Sequence, residues 1–328
     1  MIRVLITGGK GFIGSSVARY FASQGVVTRI SSRADPGNSV ADDIERCITS
    51  GLSADTDWSE ALNEVDVVVH CAGRAHILRE ANLKPLEIFR VINRDGTMNL
   101  ARQAAKLGVK KFIFLSSIGV NGVASIENHP FSEDDLPNPH NYYALSKLEA
   151  ENALFEISRS TGMDVVIIRP PLVYGYSAPG NFALLIKAIS SRVPLPFGAI
   201  KNLRSMIFVE NLADFIFQAA INPRAANQIF LISDGEDLSI GEIIRNLSNA
   251  MKIRPFLLPV PLGPLRMLAK CVGVHGAVNK LCDNLQIDSS KARKLLGWSP
   301  PFSIEEGFSR SIEQNPSFKN SLNYDQCH

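Results

Sequence analysis

The chain holds 328 residues, 45% hydrophobic and 20% charged, with 34 Lys and Arg against 32 Asp and Glu for a net charge of +2. At about 150 residues per domain this allows two domains, or one α/β unit with an addition, and the composition excludes disordered and fibrous chains. Near-neutral charge without a dense basic run gives no electrostatic case for nucleic acid, so small-molecule partners are expected.

Residues 2–7 form an apolar run that ends in glycines, after which Phe12, Ile13, Val17, Ala18 and Phe21 recur at helical spacing up to Gly25. This predicts strand, turn and helix. Further β-branched runs at 26–30, 65–69, 111–115 and 165–168 read as strands buried on both faces of a parallel sheet. Helical segments are expected between the strands, including 93–107 and 142–159, so the alternation is βαβα. The fold class is therefore α/β, a doubly wound parallel sheet over residues 1–170. A smaller second lobe is expected over 171–328, with segments near 205–235 returning to the first.

In that second part the pattern turns to Pro-rich loops, then a strand at 228–232 and a helix at 240–251. Residues 255–282 are apolar with scattered charge, and a buried lid is expected there ahead of a dimer face or a membrane-surface helix. Cysteines 47, 71, 271, 282 and 327 form no C-x-x-C pair, which suits a reducing compartment and gives no zinc site. No apolar stretch approaches the roughly 18 residues of a membrane span, and the N-terminus lacks a signal-peptide core, so a cytoplasmic location is expected.

Gly8-Gly9-Lys10-Gly11-Phe12-Ile13-Gly14 stands where the first strand hands over to the first helix. Backbone N–H groups and the positive helix end there suit a pyrophosphate. Gly8 allows a tight turn, Gly11 a close approach to the ligand and Gly14 close helix packing, the three tasks of a dinucleotide fingerprint. The second strand ends Ser31-Ser32-Arg33, hydroxyls and a guanidinium where a ribose-binding carboxylate would repel a 2′-phosphate, so NADP(H) is favoured over NAD(H).

Tyr143 and Lys147 fall four residues apart on one helical face. A neighbouring cation favours phenolate, so Lys147 is expected to draw the Tyr143 pKa down towards the working range for proton transfer. Ser116-Ser117 follows the strand at 111–115, at the carboxyl edge where doubly wound sheets bind ligands, and a hydroxyl there can share the substrate oxygen.

Together these motifs resemble an extended short-chain dehydrogenase/reductase of the nucleotide-sugar epimerase/dehydratase type. The resemblance continues through Val69-His70-Cys71-Ala72-Gly73, Asn93-Arg94-Asp95-Gly96-Thr97, Phe114-Leu115-Ser116-Ser117, Arg169-Pro170-Pro171-Leu172-Val173-Tyr174-Gly175 and Asp288-Ser289-Ser290-Lys291-Ala292. It implies Ser117, Tyr143 and Lys147 as catalytic residues, with Tyr143 and Lys147 also at the cofactor, Lys147 on the nicotinamide ribose. It places Gly8, Gly11, Phe12, Ile13 and Gly14 at the pyrophosphate, and Ser32, Arg33, Leu52, Cys71, Ala72, Gly73, Asn93, Ser116 and Pro170 along the cofactor. Asn181 and Arg204 are expected at a nucleotide diphosphate, with Ser117 at the sugar, and no metal is implied. Three departures stand out: Ser50-Gly51-Leu52 in place of Gly-Asp-Leu, Ser32-Arg33 in place of the ribose-binding acid, and Val278, Lys280 and Asp283 where UDP-binding relatives have an Arg and an acid.

The resemblance implies hydride transfer at C4 of a UDP-linked sugar. Ser32-Arg33 tilts the reading to reduction of a UDP-4-keto-6-deoxy-N-acetylhexosamine, with a UDP-N-acetylquinovosamine-type product for surface polysaccharide. A UDP-glucose or UDP-N-acetylglucosamine 4-epimerase stands as the alternative. A non-catalytic NADP(H)-sensing protein and a sterol or small-alcohol dehydrogenase stay open behind it, as does a homodimer.

Overall fold

A computed structural model describes residues 2–34, 43–75, 85–127, 129–271, 273 and 275–314. Strand β1 (Arg3–Thr7) leads through the glycine turn into α1 (Phe12–Ser23) and on to β2 (Val27–Ser32). An edge strand β3 (Glu45–Ile48) follows, and the chain reaches β4 (Val67–His70) through turns. The helix expected between the second strand and the strand at 65–69 is absent among the described residues. Glu45 of β3 instead pairs with Arg3 at 2.6 Å and Arg29 at 2.8 Å, tying this edge to its neighbours.

After β4 come α2 (Pro85–Phe89), a π-helical turn at Arg90–Gly96, α3 (Thr97–Lys106), β5 (Lys111–Leu115), α4 (Tyr142–Thr161) and β6 (Asp164–Arg169). The expected helix at 93–107 therefore begins earlier and is widened at its start. At Gly96 a Cβ would meet the Leu52 side chain at 2.7 Å, so the π turn lies directly against that loop. The carboxamide of Asn141 caps α4 by accepting from the Ala144 N–H at 2.8 Å, which sets Tyr143 in the first helical turn.

In the second part lie β7 (Leu172–Tyr174), α5 (Asn181–Ser190), β8 (Arg204–Phe208), α6 (Val209–Ile221), β9 (Gln228–Leu231) and β10 (Asp237–Leu238). They are followed by α7 (Ile240–Ala250), α8 (Leu262–Cys271), α9 (His275–Cys282), α10 (Ser290–Leu296) and α11 (Ile304–Glu313). The main sheet runs β3-β2-β1-β4-β5-β6-β9, every pair parallel, and a second sheet runs β10-β8-β7.

The period-2 alternation of buried strands sorts the core into two faces. Ile6, Val69, Ile113 and Ile168 pack with Phe21 of α1 and Phe215 of α6. Leu5, Val68, Phe114 and Ile167 pack with Leu100 of α3 and Leu154 of α4 on the other. Tyr174, Phe182, Phe208, Ile244 and Phe308 form a separate core in the second part. Within 255–282, Val278 and Cys282 of α9 are buried, but α8 is covered on one stripe: Leu265 and Ala269 are buried, whereas Met267 is 73% and Leu268 64% exposed. The expected buried lid is therefore corrected; α8 is a surface helix.

Strand order reverses between β1 and β4. At that switch point the turns leaving the two strands diverge and open a crevice at their carboxyl ends.

Candidate active site

Gly8 adopts φ +70°, and a Cβ there would lie 2.9 Å from the Ala72 backbone nitrogen. Only glycine fits both constraints. A methyl at Gly14 would overlap the Gly8 carbonyl. Gly11 occupies the N-cap of α1, with no capping side chain and no acidic residue in the first turn, so the helix end is left to an anion from outside. These glycines border a cleft of about 960 Å³ that Gly8, Gly11, Ser32, Arg33, Leu52, Cys71, Ala72 and Gly73 line. Lys10, Thr49, Trp58 and Ile92 line it as well, none of them singled out by the sequence. The bare helix end, the tight glycine contacts and the volume fit an extended dinucleotide. Phe12 and Ile13 turn their side chains away and pack on the core of the second part, which leaves their backbones for the ligand.

At the adenosine end, the Arg33 stem runs 3.6 Å from where a Cβ at Gly51 would stand, and the Ser32 hydroxyl donates to the Ala34 carbonyl at 2.6 Å. At the end of β4 His70 is fully buried, its two ring nitrogens paired with Thr7 at 2.6 Å and Thr97 at 3.0 Å. Burial holds its pKa down to about 3, so it stays neutral and rivets β1 and β4 to α3. Asn93, on the π turn, accepts from the Arg74 N–H at 2.8 Å and donates to the Arg74 carbonyl at 3.0 Å and Ser146 at 3.0 Å. Its carboxamide thus props the loop that carries Gly73. A Cβ at Gly73 would lie 3.3 Å from both Asn93 Oδ1 and Lys147 Nζ.

Ser117, Tyr143 and Lys147 converge where β5 ends. The Ser117 hydroxyl is the hydrogen-bond partner of the Tyr143 phenol and also accepts from the Gly119 N–H at 3.1 Å. Lys147 is buried, donates to the Leu115 carbonyl at 2.8 Å and sits 4.3 Å over the Phe114 ring. Desolvation draws its pKa down to about 8, against opposing pulls from Cys71 and Glu151. The expectation for Tyr143 is corrected here: burial pushes the phenol up to about 12, opposed by the Ser117 hydrogen bond and not by Lys147. The physical reason is that the ammonium is turned to the strand end.

Ser116 also departs from expectation, because its hydroxyl points into the protein and donates to Glu151. Glu151 in turn accepts from Arg169 at 2.6 and 3.1 Å, in an ion pair whose side chains are each 2% exposed. The remaining Arg169 nitrogen donates to Asn121 at 3.0 Å. Tyr143, Lys147 and Glu151 are spaced by four on α4, so the signal for this support residue lay in the sequence, one turn beyond the motif. Pro170, next to Arg169, is buried and accepts from the Ile118 N–H at 3.0 Å, locking the Ser117 turn to β6.

In the second part Asn181 is the first residue of α5 and exposed, and Gly180 holds the cap position. Arg204 donates to the Asp283 carbonyl at 2.9 Å, with burial lowering its pKa. Asn202 reaches the Leu281 carbonyl at 2.9 Å. Both residues hold the strand-like segment that passes to the Asp288-Ser289-Ser290 motif. Val278 is buried and Asp283 pairs with Arg266 at 2.5 Å.

Residues 4–241 match the model of the NAD dependent epimerase/dehydratase family. The chain is 39% identical over 311 residues to a Vibrio cholerae protein described as a UDP-glucose 4-epimerase, covering 94% of each. It is 30% identical over 268 residues to an Escherichia coli O157:H7 protein described as N-acetyl-α-D-glucosaminyl-diphospho-ditrans,octacis-undecaprenol 4-epimerase, covering 77% of this chain and 78% of that one. A Bacillus cereus UDP-glucuronic acid 4-epimerase solved with NAD shares the fold at TM-score 0.76 and 22% identity, over 94% of this chain and 95% of that one. The chain belongs to the NAD-dependent epimerase/dehydratase family and is an NAD(P)-dependent enzyme of the extended short-chain dehydrogenase/reductase type.

Proposed function

We propose that this chain transfers hydride at C4 of a UDP-hexose or UDP-N-acetylhexosamine, acting as a 4-epimerase. The observation that carries the reading is the convergence of Ser117, Tyr143 and Lys147 at the β5 edge, beside the glycine-lined cleft. Position 4 of the sugar is supported by the two 4-epimerase descriptions among the relatives.

When bound, the nicotinamide dinucleotide supplies the carbon that accepts and returns hydride. The amides at Gly11 and the first turn of α1 hold its diphosphate, and Lys147 takes the nicotinamide ribose. Tyr143 manages the proton on the sugar C4 oxygen, and Ser117 shares that oxygen and orients the phenol. Gly8 and Gly73 keep the walls close enough for both ligands, and Asn93 holds the Gly73 loop in place. Arg204 and Asn181 would take the diphosphate of the sugar nucleotide.

A second reading, net reduction of a UDP-4-keto-6-deoxy-N-acetylhexosamine, is favoured by Arg33 on the cleft wall. A guanidinium there suits an NADP(H) 2′-phosphate, and an exchangeable NADP(H) suits a reductase. A Tyr143 phenol that stays protonated at neutral pH also suits donation to a ketone oxygen. Incubation with UDP-glucose, UDP-N-acetylglucosamine and their 4-keto-6-deoxy derivatives, with products identified by NMR and NADPH absorbance followed, tests both. C4 epimers without net NADPH use support the first reading. NADPH consumed in step with a 4-hydroxy product moves the assignment to the second, and no turnover of any UDP-sugar overturns both.

A further inference from the structure

Helix α8 is apolar on two sides. Its inward stripe, Leu265 and Ala269, is buried in the core of the second part. By helical period, Pro264, Met267 and Cys271 project opposite that stripe, with Leu268 at their edge, and all four are exposed. A helix that is apolar around most of its circumference ordinarily lies buried or against lipid. Here one side is covered and the other faces outward, and the segment leading into the helix adds Phe256 at 53% and Leu258 at 36% exposure.

The sequence around the helix is basic. Residues 243–282 contain six Lys and Arg and no Asp or Glu, so the remainder of this chain of net charge +2 is acidic. All six cations are exposed. Arg266 is tied to Asp283 at 2.5 Å, and Lys270 stands one helical turn from it on the flank of the apolar stripe. An outward apolar stripe flanked by cations complements lipid headgroups that carry negative charge over an acyl layer. A second copy of the same face would set like charges against each other, which disfavours self-association through it.

We propose that the second part of the molecule docks on an anionic bilayer surface through the outer stripe of α8 and the segment before it. The helix lies in the headgroup plane, with Met267 and Leu268 entering the acyl boundary and Lys252, Arg254 and Lys270 contacting lipid phosphates. No helix among the described residues is long and apolar enough to cross a membrane, so the attachment is peripheral and reversible.

Co-sedimentation of the full chain with phosphatidylglycerol/phosphatidylethanolamine vesicles, against phosphatidylcholine vesicles, tests the proposal at low and high salt. Partitioning to the anionic vesicles is expected to exceed that to the neutral ones by about tenfold, and to fall as salt screens the charge. Met267→Ser with Leu268→Ser should lower it by about tenfold, and Lys252→Glu with Lys270→Glu by a similar factor, both with UDP-sugar turnover in solution unchanged. If the serine variant does not fold, the charge variant alone decides. The proposal fails if wild type stays in the supernatant with anionic vesicles at low salt. It fails equally if a folded variant binds as wild type, or if sedimentation velocity without lipid shows a dimer that the serine variant abolishes, which would give the face to a second copy.

Discussion

Lys147 carries a measurable cost in the folded protein. The residue is 3% exposed and its ammonium is held by the Leu115 carbonyl at 2.8 Å and the Phe114 ring, yet desolvation draws its pKa from 10.5 down to about 8. At pH 7 the lysine is protonated both folded and unfolded, and the native state bears the cost of a buried charge. Between pH 8 and 10.5 the native lysine releases its proton while the unfolded chain retains it, so stability rises with pH across that window. At about 1.4 kcal/mol per pH unit the gain amounts to about 3 kcal/mol. Titrating groups that do not touch Lys147 act alike in wild type and Lys147→Met, and its buried neighbours His70, held down to about 3, and Cys71, pushed up to about 12, titrate outside this window in the folded protein. Urea unfolding of both proteins from pH 7.5 to 10.5 should show wild type gaining about 3 kcal/mol relative to the variant. A difference flat to within about 1 kcal/mol, or one that falls, refutes the argument that burial, and not an ion pair, governs this group.

Arg33→Ala should weaken NADPH binding by about ten- to a hundredfold in fluorescence titration with NADH little changed, the worth of one charge-assisted hydrogen bond; an NADPH/NADH affinity ratio within about twofold of wild type makes Arg33 a surface charge only. Glu151→Ala strands Arg169 with Asn121 alone and removes the acceptor for Ser116, so it should cost about 3–5 kcal/mol in urea unfolding. A loss below about 1 kcal/mol contradicts the buried network. Gly14→Ala presses a methyl into the Gly8 carbonyl and should weaken cofactor binding by at least about tenfold in fluorescence titration. Unchanged affinity would show that the turn has room to yield.

The first half of the fold was legible because its signals are local. Val4-Leu5-Ile6 and Phe112-Ile113-Phe114-Leu115 are short apolar runs, and the glycines between β1 and α1 sit where strand must give way to helix. Strand β3 escaped because three of its four residues face solvent or the sheet edge and only Cys47 is buried, leaving no apolar alternation to read. Its place depends on Arg3 and Arg29, which are distant in sequence. The short strands β7 and β8 were likewise hidden, since Asp234 fixes them from afar by accepting from the Tyr174 hydroxyl, the Phe208 N–H and Asn211. At the site, the spacing of Tyr143 and Lys147 located the pair, but not the direction of the ammonium, which the Leu115 carbonyl decides. Glu151 was missed because its partners, Ser116 and Arg169, come from two other strands' ends.

The central claim is that Tyr143 moves the proton on the oxygen of the reacting carbon while the cleft holds the cofactor independently of it. Tyr143→Phe keeps the ring against Phe89, 6.2 Å between centroids, and removes only the hydroxyl. Its kcat on the UDP-sugar that wild type converts, measured by NMR with cofactor affinity determined in parallel, is the most direct test. The account predicts a loss of about 10² to 10⁴ in kcat with cofactor affinity within about twofold of wild type. Near-normal turnover, or a loss of turnover that follows only from lost cofactor binding, would contradict it.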